Sequence, residues 1–194
     1  MKQVEFFFDF GSPAAYLAWT QVGKVAEAAG AELVMRPMLL GGVFKATGNA
    51  SPVMVAAKGK WMMGDLQLWA KRYGVAFTLP PGFPLNTLYL MRGAVALEGT
   101  PEFSTYIAAV FDAMFGRGEN MADPVVIGRV LTEAGLDAKA IIASTQDEAV
   151  KERLKASTEE AVKRGAFGAP TYFVGDQMFF GQDRLDFVAE ALAR

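Results

Sequence analysis

Apolar residues crowd the start of the chain: Val4, Phe6, Phe7, Phe8 and Phe10, with Glu5 the polar interruption before Asp9. A short run of this kind, aromatic and β-branched, predicts a buried strand over Val4–Phe8. After Gly11 the period changes. Ala15, Trp19, Val22, Ala26 and Ala29 recur at alternating spacings of four and three, which is one face of a helix closed by Gly30. Leu33, Val34 and Met35 predict a second strand within Ala31–Met38, stopped by Pro37 and the Gly41-Gly42 pair. The chain therefore opens β-α-β, a unit that normally forms a parallel pair with a right-handed crossover.

From about residue 52 to 165 the pattern is helical, with almost no strand signal. Trp61–Tyr73 is one predicted helix, followed by the breaker Leu79-Pro80-Pro81-Gly82. Asn86 can cap a helix through Leu90, Ala94 and Leu97, and Thr100-Pro101 opens another carrying Phe103, Ile107, Val110 and Met114. Asp123-Pro124 opens a third, with Ile127, Val130, Leu131 and Ala134 before Gly135. Thr145-Gln146-Asp147-Glu148 reads as a capping box for a long helix with Val150, Leu154 and Ala161 inward. Strand signals return only in Thr171–Val174 and Gln177–Phe180, joined by Gly175-Asp176 as a hairpin. Asp183 then caps a final helix whose Leu185, Val188 and Leu192 face inward.

Neither strand group is large enough to make a sheet alone, which argues that they join across the helical block. The expected fold class is α/β: a thioredoxin-like β-α-β…β-β-α domain split by a large all-helical insertion. Its segments are 1–40 and 166–194, with 41–165 inserted.

Composition narrows the chemistry. Hydrophobic residues make up 52% of the 194, yet no apolar run approaches a membrane span. Met1–Glu5 lacks the features of a secretory signal, so a cytoplasmic location is expected. A net charge of −2 without a basic cluster offers nucleic acid no electrostatic footprint. The chain has no cysteine, which excludes disulfides, dithiol redox chemistry and thiolate metal sites. It has no histidine either, which removes the usual general base and the serine–histidine triad. No metal site is expected, and an enzyme built this way draws its reactive group from a cofactor or co-substrate.

Three loops converge if the strands pair as proposed: Gly11-Ser12-Pro13, Gly168-Ala169-Pro170-Thr171 and Gly181-Gln182-Asp183-Arg184. Ser12 stands at a helix N-cap with Pro13 at the first helical position, either as a plain cap or as part of an anion cradle. Pro170 is either an ordinary strand-start proline or a cis proline that leaves neighbouring backbone free for a peptide ligand. Asp183 is a cap or a ligand contact.

Several segments carry a resemblance. Phe8-Asp9-Phe10-Gly11-Ser12-Pro13 with Tyr16, Thr47-Gly48-Asn49, Lys58-Gly59, Gly165–Thr171 and Phe180–Leu185 closely resemble the 2-hydroxychromene-2-carboxylate isomerases. These are relatives of the kappa-class glutathione transferases in the DsbA-like branch of the thioredoxin superfamily. The resemblance spans essentially the whole chain, with Phe180-Gly181 standing where relatives often carry Phe-Trp-Gly.

It implies a homodimeric, glutathione-dependent isomerase of aromatic hydrocarbon catabolism. Such an enzyme converts 2-hydroxychromene-2-carboxylate to trans-o-hydroxybenzylidenepyruvate by reversible thiolate addition. Ser12 matches the serine that hydrogen-bonds the glutathione sulfur, and Ala169, before Pro170, matches the residue whose backbone pairs with the cysteinyl part. Gln182 and Asp183 match the pair holding the γ-glutamyl end, within a loop that includes Gly181 and Arg184. Asn49 and Lys58 match positions near the glycine end and the second substrate. That substrate, a small aromatic carboxylate, needs a flat apolar pocket and a cation. Phe44, Trp61, Trp69 and Tyr89 are candidates for the pocket, and Lys58, then Arg92, for the cation. The alternatives are a kappa-class-like transferase that conjugates electrophiles and, from another class, a non-catalytic thioredoxin-like binding module.

Overall fold

The structure is a computed structural model, and it describes residues 2–194; Met1, where the first expected segment begins, lies outside the described residues. Strand β1 (Gln3–Phe8) is central in a four-stranded sheet of order β2-β1-β3-β4. It pairs in parallel with β2 (Glu32–Pro37) and antiparallel with β3 (Thr171–Val174). The sheet thus joins the two ends of the chain. Being covered on both faces explains the apolar character of β1, interrupted only at Glu5 after Gln3: Val4, Phe6, Phe7 and Phe8 are all fully buried. Phe6 stacks on Tyr172 at 5.3 Å, and Phe7 meets Phe173 edge-on at 5.6 Å.

The hairpin to β4 (Gln177–Phe180) turns through Gly175-Asp176 as expected, with Val174 opposite Gln177 and a positive φ at Gly175. Helix α1 (Pro13–Ala28) buries Tyr16, Leu17, Val22 and Ala26 against the core.

Seven helices follow between the strand groups: α2 (Leu40–Thr47), α3 (Ala56–Tyr73), α4 (Leu88–Leu97), α5 (Phe103–Phe111), α6 (Pro124–Glu133), α7 (Ala138–Ser144) and α8 (Glu148–Lys163). A π-helical turn at Asp112–Gly116 extends α5, and α9 (Leu185–Ala193) closes the chain. Aromatic packing runs from the strand end into this block: Phe8–Phe10 at 5.5 Å, Phe10–Phe111 at 4.8 Å and Tyr16–Phe115 at 5.7 Å. Among the described residues no helix is long and apolar enough to cross a membrane.

Three local expectations need correction. Gly41-Gly42 lies inside α2, because Gly42 sits where a Cβ would come within 3.1 Å of Thr158 Cγ2 and so admits the close packing of α8. Thr145 does not open α8; its hydroxyl donates to the Ile142 carbonyl and ends α7, a helix the apolar pattern did not announce. The N-cap of α8 is Asp147, whose side chain makes no capping bond. Asp183 is not the cap of α9 either. It lies in a 3₁₀ turn, Gln182–Arg184, and Arg184 holds the N-cap position.

Candidate functional site

The site is built where β1 ends. Asp9, 1% exposed, follows the strand and accepts three hydrogen bonds. Its Oδ1 accepts from the Gly11 N–H at 2.8 Å and the Thr87 hydroxyl at 2.6 Å, while Oδ2 accepts from the Leu40 N–H at 2.6 Å. Leu40 begins α2 and Thr87 is the N-cap residue of α4, so one carboxylate ties the Ser12 loop to two helices of the block. Burial pushes the Asp9 carboxyl above its usual value, against the lowering effect of those donors.

Next along the loop, Ser12 is buried and its hydroxyl both accepts and donates a hydrogen bond. The Oγ accepts from the Ala15 N–H at 3.1 Å, the expected helix cap, and donates to the Ala169 carbonyl at 2.9 Å. The Ala169–Pro170 peptide is cis. The Pro170 carbonyl in turn accepts from the Gly181 N–H at 3.1 Å, which brings the third loop against the second. Gly181 has a φ of +106°, and a Cβ there would lie 2.5 Å from an Asp183 carboxylate oxygen. Only glycine fits.

Gln182 is buried, and its carbonyl accepts from the Tyr73 hydroxyl at 2.7 Å. Asp183 pairs with Arg184 at 2.5 Å. Its charge also reaches two groups of α3. The Tyr73 hydroxyl is pushed up to about 12 by burial and then by Asp183, and the Asp65 carboxyl is raised by burial and then by Asp183. Asn49 reaches the second loop from the end of α2, donating through Nδ2 to the Phe167 carbonyl at 2.8 Å.

The three loops therefore meet, together with Ser12, Asn49, Ala169, Pro170, Gly181, Gln182, Asp183 and Arg184. The remaining candidates stand apart from this hydrogen-bonded set. Lys58 is exposed, and Phe44 is half-buried on α2. Trp61 is 70% exposed on α3. Tyr89 lies under the Arg92 guanidinium at 5.9 Å, and Arg92 lines a separate groove between α2, α4 and α8. Trp69 makes no hydrogen bond to the set but packs on Tyr73 at 5.3 Å and lines a groove between α1, α3 and α9 that Tyr73 and Asp183 also line. Asp9, Asp65 and Tyr73 were not named as site residues from the sequence. Asp9 carried a signal there, as an acidic residue ending an apolar strand.

The DSBA-like thioredoxin domain matches this chain over residues 3–193. A 2-hydroxychromene-2-carboxylate isomerase of Sphingobium xenophagum is 33% identical over 193 residues, covering 98% of each chain. This chain belongs to the DsbA-like thioredoxin family, with the 2-hydroxychromene-2-carboxylate isomerases. Glutathione S-transferase kappa 1 of Rattus norvegicus is a more distant relative, 28% identical over 98% of this chain and 91% of its own. Among solved structures, a 2-hydroxychromene-2-carboxylate isomerase superposes with a TM-score of 0.89 at 30% identity, covering 99% of this chain and 95% of that one. A DsbA from Pseudomonas aeruginosa, 17% identical with a TM-score of 0.63, shares the fold.

Proposed function

We propose that the protein is a cytoplasmic, glutathione-dependent isomerase. It would convert 2-hydroxychromene-2-carboxylate to trans-o-hydroxybenzylidenepyruvate in aromatic hydrocarbon catabolism. The observation that carries this reading is the Ser12 hydroxyl at the N-terminus of α1, 2.9 Å from the carbonyl of the residue before a cis proline. The chain has no cysteine or histidine of its own to act as nucleophile or base.

Three features fit glutathione. The Ala169 carbonyl is held by a hydroxyl that can turn away, the α1 N-terminus favours negative charge, and Asp183 with nearby Asp65 favours an ammonium group. When bound, glutathione supplies a sulfur nucleophile that adds reversibly to the conjugated carbon, so that the opened ring's former double bond can rotate.

The chain's own residues make that sulfur anionic. A hydrogen bond to a charged group contributes about 1.5–3 kcal/mol and a helix N-terminus up to about 1, together lowering a thiol pKa by about one to three units. Ser12 and α1 provide both. Ala169 aligns the cysteinyl backbone, Gln182 and Asp183 hold the γ-glutamyl end, and Gly181 and Arg184 shape that loop. Asn49 and Lys58 face the glycine end. Lys58 also serves as the cation for the substrate carboxylate, with Phe44 as an apolar wall.

The same reading treats residues 1–40 and 166–194 as the thioredoxin-like unit and 41–165 as the inserted one. It also makes the protein a homodimer. Ala57, Trp61, Gly64 and Leu68 form an exposed stripe along α3 at spacings of four, three and four, alternating small and large as a self-packing helix seam does. Replacing Trp61 by Glu should shift the sedimentation coefficient to that of a monomer.

The function is tested by assaying chromene turnover with and without catalytic amounts of glutathione. Isomerisation that requires glutathione and does not consume it is expected. Stoichiometric consumption makes the protein a transferase. Absence of calorimetric glutathione binding at millimolar concentration would leave a non-catalytic binding module.

A further inference from the structure

The groove between α2, α4 and α8 encloses about 780 Å³, within the usual range of small-molecule sites. Its floor is apolar: Leu39, Leu88, Leu154 and Val162. Its rim is basic, and the cations there are unevenly satisfied. Lys151 pairs with Glu148 at 2.7 Å and Lys155 with Glu152 at 3.6 Å. Lys45, Arg92 and Lys163 have no carboxylate partner among the described residues, and Glu159 is the one acid of the lining left to oppose them. Thr158, also in the lining, is already engaged, accepting from the Leu39 N–H and donating to the Leu154 carbonyl.

Arg92 is the decisive group. Its guanidinium is half-buried and its Nε has no acceptor, while Nη1 makes only a long contact of 3.4 Å to the Thr145 carbonyl. Another half-buried arginine of the fold shows what a resident cation receives. Arg164 bonds Glu5 at 2.7 Å and Glu160 at 3.4 Å and stacks over Phe173 at 3.8 Å. A guanidinium with no carboxylate in contact is open to a charge-assisted pair, and an incoming anion would meet it at its terminal nitrogens.

We propose that this groove is a second binding site, for an amphipathic carboxylate whose apolar body lies on the leucine and valine floor and whose head meets Arg92, Lys45 and Lys163. Neither Ser12 nor any residue of the three loops lines it, so the ligand is distinct from glutathione.

Octanoate and octan-1-ol, which share a chain and differ in charge, are suitable probes. In calorimetry with saturating glutathione present, octanoate should bind one to one and at least tenfold more tightly than octan-1-ol. Arg92→Gln should weaken octanoate about tenfold and leave octan-1-ol unchanged. Ala46→Trp, which fills the groove from α2, should weaken both. If Arg92→Gln does not fold, the pair Lys45→Gln and Lys163→Gln gives the same reading. Equal affinity for the two probes, displacement of octanoate by glutathione, no saturable binding, or indifference to these substitutions would each overturn the proposal.

Discussion

Two regions flanking Asp9 handle polar groups in opposite ways. On one side, every hydrogen-bonding atom of the Ser12 hydroxyl and of the Asp9 carboxylate has a partner within 3.1 Å. On the other, the groove that starts at Leu39 and Leu88, neighbours of Asp9's partners Leu40 and Thr87, keeps the Nε of one guanidinium unpaired. The first region gains rigidity: three loops and two helices are fixed around a small hydroxyl. The second gives up that local stability and keeps attraction for an outside ligand. Catalytic geometry calls for the former and an anion site for the latter.

The contrast is broken most strongly at Asp9. Asp9→Ala would strand the Gly11 and Leu40 N–H groups and the Thr87 hydroxyl, and should lower stability by about 3 kcal/mol, read as a shift in urea midpoint at constant m. The carboxyl also sets a pH dependence. Its folded pKa is raised above 3.8, so the folded state binds more protons than the unfolded one above that pH. Stability from this group therefore falls as pH rises through the interval from the unfolded to the folded pKa. Asp9→Asn should remove that component of the fall in a series of urea titrations across pH.

Ser12→Ala comes next. It should cost about 1 kcal/mol as a lost cap and raise the pKa of bound glutathione by about one to two units, measured as thiolate absorbance against pH. An unchanged titration would remove Ser12 from the mechanism. The smallest effect belongs to the unsatisfied side: Arg92→Gln should change the unfolding free energy by less than about 0.5 kcal/mol, since it breaks no ion pair. A large loss would mean that Arg92 is already structurally engaged, and the two regions would no longer differ.

What the sequence disclosed follows the range of the interactions. The hairpin at Gly175-Asp176 and the cap at Ser12-Pro13 depend on neighbours a few residues away, and both were legible. The three-loop cluster was legible through strand order, because pairing β1 with β3 leaves those loops at one end of the sheet. Asp9 was not legible as a fastener, since its partners Leu40 and Thr87 lie 31 and 78 residues further on. Gly41-Gly42 misled for the same reason. Its meaning is set by Thr158 on a distant helix. Nor could spacing reveal that Arg92 would be half-buried with no carboxylate in salt-bridge contact.

If the site takes a thiol as proposed, the bond from Ser12 to the Ala169 carbonyl bears on which thiols it can hold. Any ligand that draws the hydroxyl proton toward its sulfur takes it from that carbonyl, which then lacks a donor. A peptide thiol returns one through its own amide N–H. A simple alkyl thiol cannot. Under the proposed function the resting contact would act as a two-part lock, favouring a molecule that carries the acceptor and the donor together over a small free thiol.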